Sequence, residues 1–153
     1  MTRIEFYFNV ANKLDLIENL ARTALAKRKQ MTVLTTDNAD SARVSSYLWQ
    51  NSPTGFLPNL QIEATNLDLA TSIKATFTPV IIGCDIKNLF QDDVLINLTI
   101  NEPIFFSRFT QLIEMIGLDD DDKSTGRRRY KFYRDRGYEI KTIDHAMFLQ
   151  NES

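Results

Sequence analysis

The densest run of side chains capable of holding a ligand is Arg127-Arg-Arg-Tyr-Lys-Phe-Tyr-Arg-Asp-Arg136. On a helix, Arg127, Tyr130, Lys131 and Arg134 fall at i, i+3, i+4 and i+7, which makes one cationic face with a ring in its middle. Arg129, Tyr133 and Arg136 make a neighbouring stripe, and Phe132 is expected to point at the sheet. Guanidinium and ammonium groups around a ring suit a ligand that is negative in one place and apolar in another. Two ligands have that character. One is single-stranded nucleic acid, with phosphates and stackable bases; the other is an acidic peptide ending in an apolar residue and a free carboxylate. A solvated, solubilising helix is the plain alternative for any basic run.

The charge balance narrows the choice. Lys123 to Lys141 holds eight basic and two acidic residues, a local balance of +6, whereas the whole chain carries a formal −2. The remainder is therefore at −8, and one compact basic patch on an acidic chain favours a small ligand over tracking along a polynucleotide. Immediately before the patch stand Asp119 to Asp122. Consecutive acids project in different directions and lack the spaced ligands and glycine of a calcium loop, so they read as a solvated lead-in to a helix N-terminus.

Catalytic constellations do not emerge. Phosphate cradles need glycines so that backbone N–H groups can approach the anion, and the chain after the first apolar run reads Asn9-Val-Ala-Asn12-Lys13. His145 is the only histidine; its neighbour Asp144 diverges from it, so a structural role is expected. Cys84 is the only cysteine, which excludes an intramolecular disulfide and suits a reducing compartment. It is expected to be a small buried hydrophobe. No run approaches the ~18 apolar residues of a membrane span, and the first residues lack the order of a signal peptide. The expectation is a cytoplasmic, noncatalytic binding protein with no cofactor and no metal.

The elements that would position the basic face follow from periodicity. Ile4, Phe6 and Phe8 alternate with polar or half-polar neighbours, predicting a strand. Leu14, Ile17, Leu20, Ala21, Ala24 and Leu25 predict an amphipathic helix from Asn12 to Lys29, capped by Asn12 or Asp15. Met31–Thr35 reads as a strand, and Asp37 or Asn38 begins a second helix through Trp49. Asn51-Ser-Pro-Thr-Gly55 is a turn cluster, and residues 64–75 show no clear period. Pro79–Gly83 and Val94–Leu98 read as buried strands. Pro103 opens an expected helix whose buried side is Phe105, Phe106, Phe109, Leu112, Ile113 and Ile116. Ser124 or Thr125 would cap the basic helix, Gly137 would end it, and Tyr138–Thr142 would be a last strand.

Alternation of strand and helix at these lengths predicts a single α/β domain over residues 1–150, with a frayed tail at 151–153. The fold class expected is a three-layer, Rossmann-like arrangement with a largely parallel central sheet and helices on both faces. At 153 residues with 43% hydrophobic content, one such core needs no staple. A second cluster, Tyr47-Leu48-Trp49 with Phe56-Leu57-Pro58, has the composition of a core segment and also that of a protein-binding hot spot.

Taken in order, Phe6-Tyr7, Leu48-Trp49, Phe56-Leu57-Pro58, Val94–Leu98, Phe105 to Glu114 and Arg127-x-Arg-Tyr-Lys-x-Tyr-Arg-x-x-Gly137-Tyr138 resemble the chi subunit of bacterial DNA polymerase III. The resemblance spans nearly the whole chain. It implies a Rossmann-like fold without nucleotide chemistry and a place in the clamp-loader assembly beside the small psi subunit. It also implies binding of the acidic, Phe-terminated C-terminal peptide of the single-stranded-DNA-binding protein, so that contact with DNA is mainly indirect. By resemblance the tail-binding positions are Arg127, Tyr130 and Lys131, with Lys123, Ile116, Thr142 and Arg134 around them. Those for psi, or for a helicase that competes with it, are Trp49, Phe56, Leu57 and Pro58. The chain departs from the family in having Asn59 after Pro58, where His is frequent. It also departs in the four aspartates beside the basic patch, which are expected to compete with an acidic tail. The alternative is a direct single-stranded nucleic-acid-binding module built on the same basic helix.

Overall fold

The computed structural model describes residues 1–50, 57–62, 74–84 and 91–146. Parallel strands that are buried on both faces need long apolar or β-branched runs and crossover helices between them. The chain supplies both. In order along the chain are β1 (Arg3–Phe8), α1 (Lys13–Ala26), β2 (Met31–Leu34), α2 (Asn38–Gln50), β3 (Asn59–Ile62), β4 (Val80–Gly83) and β5 (Val94–Asn97). A 3₁₀ turn (Phe106–Arg108), β6 (Gln111–Met115), α3 (Asp120–Asp135) and β7 (Ile140–Asp144) complete the described elements. The strands form one sheet in the order β3-β4-β2-β5-β6-β1-β7, with every pairing parallel. This is the Rossmann-like three-layer α/β class.

Alternate residues face opposite layers. Met31, Val33, Val80, Ile82, Val94, Ile96, Ile113 and Met115 pack under α1 and α2, which bury Leu16, Ile17, Ala21, Ala24, Val44 and Leu48. On the other face Ile4, Phe6, Leu34, Leu95 and Leu112 pack with Phe106, Phe109 and Tyr133. Asn12 caps α1, its side chain accepting from the N–H groups of Leu14 and Asp15. Asp37 begins α2, accepting from the Asp40 N–H at 2.8 Å.

Several expectations change. The helix foreseen from Pro103 is a single 3₁₀ turn followed by β6: Leu112 and Ile113 take opposite faces of the sheet, each fully covered. Its two polar residues, Gln111 and Glu114, fall on opposite faces, so the run shows no clean period of two. α1 stops at Ala26 instead of Lys29, because Arg28 turns left-handed (φ 57°) and the Lys29 N–H closes on the Ala24 carbonyl at 2.8 Å. α3 starts at Asp120, ahead of Ser124 and Thr125, with Asp119 as its cap. β3 adds a strand to those expected, and β7 overlaps the expected Tyr138–Thr142 but is shifted two residues toward the C-terminus. Cys84 is only half-buried, and its thiol donates to Asn38 Oδ1 at 3.2 Å. His145 is buried, its ring edge-on to Tyr7. The turn cluster 51–55, most of 64–75 and the tail 151–153 lie outside the described residues.

Candidate functional site

The register of β1 places Phe6 opposite Glu114 of β6 on one side and Thr142 of β7 on the other. These three neighbours share a sheet face, and α3 lies across it. Phe6 supplies the apolar floor, and the Tyr130 ring stands edge-on to it at 5.3 Å between centroids. Ile116, just beyond β6, lies directly under α3, because a Cβ on Gly126 would come within 2.5 Å of the Ile116 Cδ1. Glycine costs a helix interior about 1 kcal/mol relative to alanine. Here it admits the isoleucine.

Between α3 and the C-terminal ends of β1, β6 and β7 lies a cavity of about 590 Å³. Its lining includes Lys123, Arg127, Lys131 and Arg134 on the cationic side, Phe6, Phe8, Ile116 and Tyr130 on the apolar side, and Thr142. Among the described residues, no ion pair engages Lys123, Arg127 or Lys131, and Arg134 approaches Asp135 only at 3.6 Å between exposed side chains. A row of cations over an apolar floor is thus left open to a ligand that is both anionic and apolar.

All seven residues assigned from sequence to tail binding border this one hollow: Lys123, Arg127, Tyr130, Lys131, Arg134, Ile116 and Thr142. Phe6, Phe8, Asn9 and Gly126 also line it and were not singled out. The lone glycine inside a basic helix was the available signal for a close approach. Asn9 sits left-handed (φ 58°) and donates to Asp144 Oδ1 at 3.2 Å, so Asp144 and Asn9 fix each other.

The neighbouring stripe of α3 differs from expectation. Arg129 and Tyr133 face the sheet and are buried; Phe132 is half-buried against Phe106 and Tyr133, and Arg136 stacks on its outer side at 3.5 Å instead of joining the stripe. Arg129 Nε donates to Glu114 Oε1 at 3.1 Å, the Tyr133 hydroxyl donates to Oε2 at 2.7 Å, and the Asn97 amide donates to both oxygens. Burial pushes the Glu114 carboxyl above its ordinary value, and these donors pull against it. Burial and the adjacent Glu114 together drive the Tyr133 hydroxyl far above the usual phenol range.

The aspartates fall outside the basic hollow. Asp119, Asp121 and Asp122 border a separate cavity with Lys13 and Gly117. Asp122 pairs with Lys13 Nζ at 2.8 Å and accepts from the Gly117 N–H at 2.6 Å. Asp122 is thus engaged on the α1 side of α3, away from the cationic row. No group of acids, His and Cys suited to a metal occurs among the described residues.

Of the second cluster, Trp49 is 48% exposed near the end of α2, and Pro58 is half-buried. Leu57 corrects its assignment: it is 3% exposed and packs in the core under α1 and α2, leaving no surface for a partner. Phe56 lies outside the described residues.

Residues 1–141 match the family model described as DNA polymerase III chi subunit, HolC. The chain belongs to the chi-subunit family. It is 32% identical over 144 residues to the DNA polymerase III subunit chi of Haemophilus influenzae, covering 90% of this chain and 94% of that one. It is 25% identical to the Pseudomonas aeruginosa subunit chi, with 96% and 98% covered. With the Escherichia coli subunit chi, identity is 26% over 84% of this chain and 86% of the other. In this chi-family chain no described helix is long and apolar enough to cross a membrane.

Proposed function

We propose that the chain is a noncatalytic, cytoplasmic accessory subunit of the DNA polymerase III holoenzyme, associated with the clamp loader. It joins the psi subunit to the acidic C-terminal tail of the single-stranded-DNA-binding protein during replication. The observation that carries this reading is the hollow beside α3, where Lys123, Arg127, Lys131 and Arg134 border an apolar floor of Phe6, Ile116 and Tyr130. The terminal Phe of such a tail enters between Ile116 and the Tyr130 ring, and Arg127 and Lys131 hold carboxylates. The partly exposed Trp49 on α2 marks the other contact, for psi or for a helicase that competes with it. Contact with DNA is indirect. Tethering is the gain, since a weak contact repeated along a multivalent DNA-coating protein raises local concentration.

Calorimetric titration with a peptide ending Asp-Asp-Asp-Ile-Pro-Phe tests the tail site. Saturable binding that weakens with added salt is expected. Arg127→Glu should cost about 2 kcal/mol, roughly thirtyfold in affinity. Binding no tighter than that of the scrambled peptide sinks the proposal. So does tighter binding of naked single-stranded DNA with a steep salt slope, which is the behaviour of a direct nucleic-acid module.

A further inference from the structure

α3 has an unusual way of holding its place. Its sequence, DDDKSTGRRRYKFYRD, contains no aliphatic side chain, and the residues it buries are Gly126, Arg129 and Tyr133. Its rings at Tyr130, Phe132 and Tyr133 spread over roughly 160° of helix circumference at 100° per residue. Ring burial alone therefore defines the rotation of α3 loosely. A rotation of about one residue exchanges the cations that face the hollow for those that now face solvent or sheet.

The polar contacts are specific where the rings are permissive. Glu114 is 0% exposed and Arg129 2%. Three different side chains converge on the Glu114 carboxylate, from α3 (Arg129, Tyr133) and from β5 (Asn97). Arg129 Nη1 also donates to the Ile100 carbonyl at 3.1 Å, which ties the helix to the segment after β5. Residues 129 and 133 are i and i+4 on one side of α3, while Arg127, Tyr130, Lys131 and Arg134 turn toward the hollow. A buried ion pair adds little net stability compared with apolar residues of similar volume, while its donors and acceptors must stay aligned to remain satisfied.

We propose that Glu114 is a positioning residue: through Arg129 and Tyr133 it sets the rotation of α3 that presents Arg127, Tyr130 and Lys131 to the ligand. It touches no ligand itself. The inference deepens the peptide-binding reading above and rests on it for its effect on affinity. The rotation itself is a property of the free protein.

The test separates rotation from stability. Glu114→Leu/Arg129→Met replaces the pair by apolar side chains and is expected to stay folded, with the melting temperature lowered by only a few degrees because the Tyr133 hydroxyl loses its acceptor. It is expected to lose the nuclear Overhauser contacts between the Phe6 and Tyr130 rings, to broaden the α3 amide signals, and to bind the acidic peptide about tenfold more weakly, as expected if one molecule in ten is competent. A double variant that keeps both the ring contacts and the wild-type affinity overturns the proposal. Where that variant does not fold, Tyr133→Phe decides, since it removes one hydroxyl and leaves the ring in place. Broadened α3 signals support the proposal, and unbroadened signals overturn it. If the wild type itself fails to bind the peptide, the tail-binding reading falls. The ring contacts and amide signals still decide the rotation.

Discussion

Gly126 shows how one missing methyl shapes a site. The Ile116 side chain occupies the space that a Cβ would take, with its Cγ1 at 2.7 Å from that point as well as the Cδ1 at 2.5 Å. Gly126→Ala should gain about 1 kcal/mol of helix propensity and lose a comparable amount to overpacking. The melting temperature should then change little. The displaced isoleucine enters the hollow, so peptide affinity should fall about tenfold, the scale of one disturbed apolar subsite. Calorimetry beside a thermal melt measures both. An affinity equal to the wild type would mean that Ile116 relaxes away from the ligand side.

At the scale of elements, the first turn of α3 is fastened to the start of α1 through Asp122. Burial alone would raise its carboxyl, but the Lys13 ammonium and the Gly117 N–H outweigh that and bring it below the ordinary 3.8. A lowered folded value means that the stabilisation is complete above the unfolded value. It is lost as pH falls through the lower, folded one. Asp122→Asn should cost about 1 kcal/mol at neutral pH after solvent screening is allowed for, and should flatten the acid limb of stability against pH. Urea melts from pH 7 to pH 2 provide the check. The elements were legible to different degrees, for physical reasons. α1 faces solvent on one side, so its period shows: of the spaced residues Leu14, Ile17, Leu20, Ala21, Ala24 and Leu25, three are buried, while Leu25 is exposed and the buried Leu16 falls outside the spacing. β6 is covered on both faces, so its run was absorbed into the aromatic spacing of Phe105, Phe106 and Phe109 and read as helix. Periodicity found the cationic face of α3, and the family resemblance supplied Ile116 and Thr142. Neither revealed Glu114 as the partner of Arg129, because an acid in a strand and a base in a helix fifteen residues on carry no pairing signal. Phe6 and Phe8 were recognised as strand residues, but their place beneath α3 depends on parallel pairing across more than a hundred residues.

For the whole molecule, the sheet order dictates which segments depend on one another. β1 is flanked by β6 and β7, the last of the described strands. Ending the chain at Gly137 removes β7 and turns β1 into an unprotected edge bearing Ile4, Phe6 and Phe8. Such a chain should melt at lower temperature and scatter more light with concentration than the full-length protein; equal behaviour would show that β7 contributes little. The same order has a temporal side. Ribosomes add about 5–20 residues per second, so Phe6 and Phe8 emerge on the order of ten seconds before Thr142 exists to sit beside them. Until Thr142 has joined the chain, the hollow lacks its wall on the β7 side. On the tail-binding reading proposed above, a chain released before Thr142 lacks one wall of its docking site, so such products are silent toward the tail without any separate proofreading step.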